Sequence, residues 1–408
     1  MNKKLTLILI CNFILIFFSL TAFSGTNGVA SVNGKTYASV QDAVNHMKSG
    51  QTLKLLKPVT TSEKVTIDLG KKKICLQFAG NGYHYTGEET AFEIKSGNVA
   101  AKGMKLKSDR YTFYIHKGAA LKMSGGGCSG LIRNEGKLTF SDGKYKNLSI
   151  DNYNDLVIRG GTFTPKKEFK MLLVEKGGKA VIYKGVFKVS KNNVIEVKKS
   201  GTLEIHKGTF SSDHTCLYSA GKTTINGGTF TSKKAITIVN AKGTMKINGG
   251  TVKGKSQYIL ISNENGNMTI NSVKVNGCIA NDCSGKKKMI INGGSFNGET
   301  WNKKGKMVIN GGNFVNTDNT VIYNDGDLEI TGGSFILKSK KNKKDPNHYT
   351  LFNYGKAVLT GGTFRKGNNG DTPIGNRYGR KLTRNENVDG EDSTVYTISE
   401  FIFHYAEK

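Results

Sequence analysis

The sequence predicts an all-β protein, a right-handed parallel β-helix (solenoid) of about 13 coils with a short N-terminal capping helix. Three observations carry that prediction. A short phrase recurs eleven times between Tyr145 and Phe364, with best copies Ile225-Asn226-Gly227-Gly228-Thr229-Phe230, Ile291-Asn292-Gly293-Gly294-Ser295-Phe296 and Ile330-Thr331-Gly332-Gly333-Ser334-Phe335. Its last residue falls at 145, 163, 187, 210, 230, 252, 275, 296, 314, 335 and 364. That mean period of about 22 residues belongs to stacked units that bury their apolar faces only against neighbours. Within a unit, Ile322 and Asn324 alternate with Tyr323, and Leu328 and Ile330 alternate with Glu329. This is the period of a strand with one face in and one out. Third, Asn recurs before a corner at 134, 152, 240, 263, 281, 302, 324 and 353, as a ladder of inward amides would require.

The elements follow in order. Residues 1–24 read as a signal peptide: Lys3 and Lys4, an apolar run from Leu5 to Leu20, then Ala22-Phe23-Ser24 as a cleavage site. The expected location is therefore secreted or cell-surface associated, with no transmembrane segment after signal removal. Residues 25–66 form an N-terminal cap, where Ser39-Val40-Gln41-Asp42 is a helix start and Ala43, Val44 and Met47 its apolar stripe. Residues 67–370 form the coils. Three short strands and three corners fit each unit, and glycine permits the corners. Leu106 and Cys128 extend the landmark column backwards. Residues 371–408 lose the phrase and form a C-terminal cap, with Val395–Ile398 and Phe401–Phe403 as closing strands.

Composition narrows the partners. Lys and Arg number 60 against 31 acids, a formal charge of +29 that drops to +27 once Lys3 and Lys4 are removed. Such a surface attracts polyanions, and outside a cell these are acidic polysaccharides or anionic cell-wall polymers. No motif for sequence-specific nucleic-acid recognition accompanies the charge. The mature chain keeps Cys75, Cys128, Cys216, Cys278 and Cys283, an odd number without CxxC spacing, which reads as small buried hydrophobes rather than a zinc site.

Val32-Asn33-Gly34-Lys35-Thr36-Tyr37-Ala38-Ser39-Val40-Gln41-Asp42-Ala43-Val44 and the repeated Ile-Asn-Gly-Gly-Thr-Phe resemble secreted right-handed parallel β-helix proteins of Gram-positive anaerobic bacteria. These belong to the pectin-lyase-like architecture, and the resemblance spans roughly residues 30–370. It implies either a polysaccharide lyase or hydrolase, or a non-catalytic adhesin-like protein. Hydrolases of that family use clustered Asp with a His; lyases use carboxylates around Ca²⁺ with a Lys or Arg base. No position here carries those residues over. The acids are few, and the seven histidines fall at unrelated points of the repeat. Asn385–Gly390 echoes a calcium loop, but its twelfth position is Tyr396 where a Glu is needed. No catalytic residue, metal or cofactor is assigned.

Binding features are better developed. Trp301, Tyr323 and Phe352 occupy the outward position of three consecutive coils and would form an aromatic strip suited to pyranose rings. Lys338, Lys340, Lys341, Lys343 and Lys344 form a basic finger in the longest gap between phrases. The expectation is non-catalytic binding of acidic polysaccharide or cell envelope through a basic surface. The alternatives are a lyase acting on uronic polysaccharide, and a structural surface protein without a defined ligand.

Overall fold

The computed structural model describes residues 28–366 except 79, 255–258, 318 and 339–348, together with the strands Ile374–Asn376, Thr394–Thr397 and Phe401–Phe403. It is an all-β parallel β-helix of about 14 turns. One complete coil runs through Leu217–Ser219, Lys222–Ile225 and Thr229–Ser232, one strand on each of three faces. Every other residue points in, so Leu217, Ile225 and Phe230 are fully or almost fully buried. Each strand pairs in parallel with its counterparts one coil away, for example Leu217↔Ile238, Ile225↔Ile247 and Phe230↔Val252.

The landmark column stands in the predicted register along its whole length, from Tyr145↔Phe163 to Phe335↔Phe364. Its rings stack at 4.8 Å between Tyr145 and Phe163 and at 4.6 Å between Phe296 and Phe314. Such pairs are worth about 0.5–1.5 kcal/mol each beyond their burial. The Gly-Gly corner preceding this column has a steric cause. Gly228 has φ of +110°, a region that L side chains rarely adopt, and an added Cβ would lie 3.0 Å from the carbonyl oxygen of Gly208 in the coil before.

The asparagine column is inward and buried, but it is not one ladder. Asn134 donates to Asn152 at 2.6 Å; a second run goes Asn240, Asn263, Asn281, Asn302, Asn324 and Asn353, each but the last donating to the side-chain oxygen of the next at 2.6–2.9 Å. Between the runs Val174, Val197 and Ser219 take the same register. The column alternates between two solutions to one corner: a ladder of amides bonded from coil to coil, or side chains that make no such bond, two valines and Ser219, whose hydroxyl pairs with that of Thr223 in its own coil at 2.8 Å. The first carbonyl oxygen of each run, on Asn134 and on Asn240, has no partner.

The coil count exceeds the expectation because parallel pairing already starts at Thr52–Leu55, against Val65–Gln77. The early coils escape the phrase search for a physical reason. Val65–Gln77 and Thr90–Ser108 are continuous strands of 13 and 19 residues that bend round corners without a Gly-Gly break. The helix α1, Val40–Asn45, begins as predicted, with the Ser39 hydroxyl accepting from the Asp42 N–H at 3.0 Å. Val40, Ala43, Val44 and Met47 are buried beneath it. At the other end Thr394–Thr397 and Phe401–Phe403 pair antiparallel with Thr363–Lys366 and Lys356–Leu359, and so close both sheets. Cys128, Cys216, Cys278 and Cys283 are buried and Cys75 is partly so, all as free thiols. The signal segment and the 385–390 loop lie outside the described residues, among which no helix is long and apolar enough to cross a membrane.

Candidate functional site: one outer face of the solenoid

The strands that carry Trp301 also carry, in unbroken register, the outward residues Glu93, Tyr114, Arg133 and Asp151 near the N-terminal end. The column continues through Leu173, Glu196, Tyr218, Val239, Ser262 and Ala280 to Trp301, Tyr323 and Phe352. This first face therefore divides into an aromatic end, a floor of small residues and a polar end.

At the aromatic end the three predicted rings are in register and partly buried. Lys303 lies with its Nζ 4.8 Å from the Trp301 ring centroid, a cation over an electron-rich face. The Trp301 indole donates to Glu299, whose carboxyl is pushed up by burial and only partly restored by that bond. Phe352 is less available than the repeat suggested. Tyr349 stacks on it at 5.0 Å and Tyr354 meets it edge-on at 4.6 Å. Lys338 is exposed just past the strand Ser334–Leu337; Lys340, Lys341, Lys343 and Lys344 lie outside the described residues.

Next to Trp301 the face dips into a cleft of about 430 Å³. Ser262 and Ala280 are its floor, Ile236 and Ile259 one flank, and Glu264, Asp282, Lys303 and Lys304 the other. The small floor residues leave the room, because a large side chain at either position would fill it. Burial, helped by the negative charge of Asp282, raises the Glu264 carboxyl above its ordinary range. The cleft combines an apolar wall, both signs of charge and an aromatic end, a lining that could hold a sugar ring by its face and its hydroxyls.

The polar end was not legible in the sequence, where its members look scattered. His116 meets Glu93 at 2.9 Å and stacks on Tyr114 at 4.0 Å, and Lys64 reaches the same Glu93 at 3.3 Å. Arg133 makes two bonds to Glu135, at 2.9 and 2.6 Å, with its guanidinium between the rings of Tyr114 and Tyr153. Burial would raise Glu93 and Glu135, but hydrogen bonds from these neighbours outweigh it and hold both carboxyls below the usual range. Asp151 goes the other way, raised by burial and by Glu175 against the weaker pull of Lys170 and Arg133. The signal that could have found this group is the coil register itself: counting back from the Asn column puts His116 and Glu135 one coil apart.

A second missed feature is the Asn of the phrase. Asn248, Asn271, Asn292 and Asn310 each donate at 2.8 Å to the amide oxygen of the preceding coil, beginning with Asn226, on the outside of the corner. The outer ladder donates towards the N-terminus and the inner one towards the C-terminus. Among the described residues no group of His, Cys, Asp and Glu is arranged to hold a metal ion. Compared with family models, with curated proteins and with solved structures, the chain matches none.

Proposed function

We propose that this is a secreted β-helix protein that binds an acidic extracellular polysaccharide or cell-envelope polymer, without cleaving it. The observation that supports the reading is the register of Trp301 and Tyr323 on adjacent coils beside the Ser262–Ala280 cleft. Aromatic side chains on strands about 4.8 Å apart along the axis suit successive pyranose rings, and the formal charge, +29 for the whole chain and +27 without Lys3 and Lys4, favours an acidic chain. The test is a glycan array with the purified protein at low and physiological salt, repeated with Trp301→Ala. Selective binding of one acidic glycan family that survives salt and is lost in the variant supports the reading. Indiscriminate binding that vanishes with salt sinks it.

A second reading, eliminative cleavage of a uronic polysaccharide, draws on the polar end of the same face. His116 could take the proton from the carbon beside a uronate carboxylate as the bond from the next carbon to the glycosidic oxygen breaks, and the Tyr114 hydroxyl, kept protonated by burial and by its bond to Glu135, could give that oxygen a proton beside the Arg133 guanidinium. New absorbance from unsaturated chain ends, abolished in Tyr114→Phe, would favour cleavage over binding.

A further inference from the structure

The excess of positive charge is not spread evenly over the solenoid. At the corner between the first and second faces, each second-face strand opens with an outward residue, and these residues stack in register. Six of the eleven from Lys137 to Lys356 are lysine: Lys137, Lys179, Lys222, Lys288, Lys306 and Lys356. Asp155 and Asp327 are the acids of the column, which leaves it at +4, six minus two. Two residues further along the same strands the outward column from Thr139 to Val358 holds one lysine, Lys246, against Glu204 and Glu329. The enrichment is therefore a property of the corner and not of outward positions in general. The adjoining turns add Lys176, Lys199 and Lys242, all exposed, and also hold the acids Glu135, Glu175, Glu264 and Asp325.

These lysines are free to act on a partner. All six are exposed, and only Lys306 pairs with a described carboxylate, Glu329 at 2.8 Å. Ten coil intervals of about 4.8 Å make the column about 48 Å long. From Lys137 to Lys222 the lysines recur on every second coil, about 9.6 Å apart.

We infer that this corner is a docking track for a long, linear acidic polysaccharide lying parallel to the solenoid axis. The inference rests on the glycan-binding reading above and names the surface and the chain direction that go with it. Successive rings of an extended 1,4-linked chain face opposite ways, so carboxylates on one side recur at every second ring, and the lysine spacing has the same alternation. The track meets the aromatic end through neighbours: Lys304 and Lys306 follow Lys303, whose ammonium sits over Trp301. That adjacency favours a sugar chain over a polyphosphate, which offers no ring face to the indole.

The experiment compares the intact protein with Lys137→Gln/Lys179→Gln/Lys222→Gln, three changes at exposed sites more than three coils from Trp301. The control carries the same loss of charge on the third face, Lys188→Gln/Lys253→Gln/Lys274→Gln. The probes are a 1,4-linked polyuronate long enough to span the column and an oligouronate too short to cross three coils. The expected result is a loss of about tenfold in affinity for the long chain and a shallower dependence of log K on log salt, since fewer counterions are released. The short oligomer should bind the track variant and the intact protein equally, and the control should leave long-chain binding unchanged. Equal losses in the two triple variants would mean general attraction only and overturn the track. Tighter binding of inorganic polyphosphate than of polyuronate would overturn the choice of polysaccharide. Failure of every uronate to bind the intact protein would remove the glycan reading itself, whereas short-chain binding with an unaffected triple variant would remove the track alone.

Discussion

The side-chain amide of Gln41 closes on the backbone of Thr66 from both sides, accepting from its N–H at 2.6 Å and donating to its carbonyl oxygen at 3.0 Å. Thr66 lies in the strand Val65–Gln77, which pairs with the coil after it. On its other side an open solenoid would leave these two groups unpaired, a template for another chain. A side chain from α1 thus stands in for a strand. Gln41→Ala should cost about 1–3 kcal/mol by orphaning both groups, and Gln41→Glu should cost less because the acceptor is kept. Denaturant midpoints measure both; an unchanged midpoint in Gln41→Ala would refute the cap assignment.

A glycine at a coil corner should cost more to replace than Gly34, which sits in the hairpin turn between Ala30–Val32 and Lys35–Tyr37. Gly34 and Gly228 both have positive φ, but a Cβ on Gly34 meets nothing within 4 Å. Gly34→Ala should cost roughly 1–2 kcal/mol, the strain of a left-handed residue. Gly228→Ala adds the close approach to Gly208 and should be clearly the larger loss in thermal unfolding. Equal losses would mean that coil stacking at the corner is looser than the geometry states.

Interior rungs of the asparagine ladder should matter more than block ends. Asn281→Ala strands the carbonyl oxygen of Asn302 and removes the acceptor of Asn263, a loss of about 1–3 kcal/mol for each group left unpaired. Asn152 ends its run and donates only to backbone oxygens. Asn152→Val, which copies the next coil's Val174, should be the milder change, and chemical denaturation of the pair would show it.

Acid should weaken the N-terminal coils. Glu93, Glu135 and Glu196 all sit below the usual carboxylate range; burial would raise each, and bonds from His116, Arg133 and Lys170 respectively lead the opposing pull. Their folded values are lower than the unfolded value of about 4.3, so the stability they confer is fully present above that pH and lost as pH falls through the folded values. Glu135→Gln should flatten this part of the pH profile of the melting temperature. A profile identical to that of the intact protein would exclude Glu135 as a contributor.

The chain has one tryptophan, so its emission reports on the candidate site alone. Binding of an acidic oligosaccharide should shift or quench Trp301 fluorescence, and Lys303→Ala should change the unliganded spectrum by removing the ammonium from the ring face. Saturable binding with no spectral change would place the ligand elsewhere.

Legibility followed periodicity. The Phe column and its gaps could be read to the residue, because a period of about 22 leaves one register that buries every landmark. The early coils could not be counted, since strands such as Thr90–Ser108 turn corners at single glycines, Gly97 and Gly103, without the Gly-Gly phrase. Trp301, Tyr323 and Phe352 could be aligned from the Asn beside each, yet the packing of Tyr323 and Phe352 depends on Tyr349 and Tyr354 from the adjoining loop and turn. The polar group around Glu93 was hidden because His116 meets Glu93, and Tyr114 meets Glu135, only across coils.

By itself the sequence determined the coil, its period, the inward columns and the helical start of the cap, because a two-residue alternation and a recurring corner admit one stacking. Tertiary structure alone decided what the outward residues do. Their sequence separation of about 20 residues becomes a neighbour distance of about 4.8 Å only after coiling. That step turns dispersed lysines into one ridge, separated acids and histidine into one network, and small residues into the floor of a cleft.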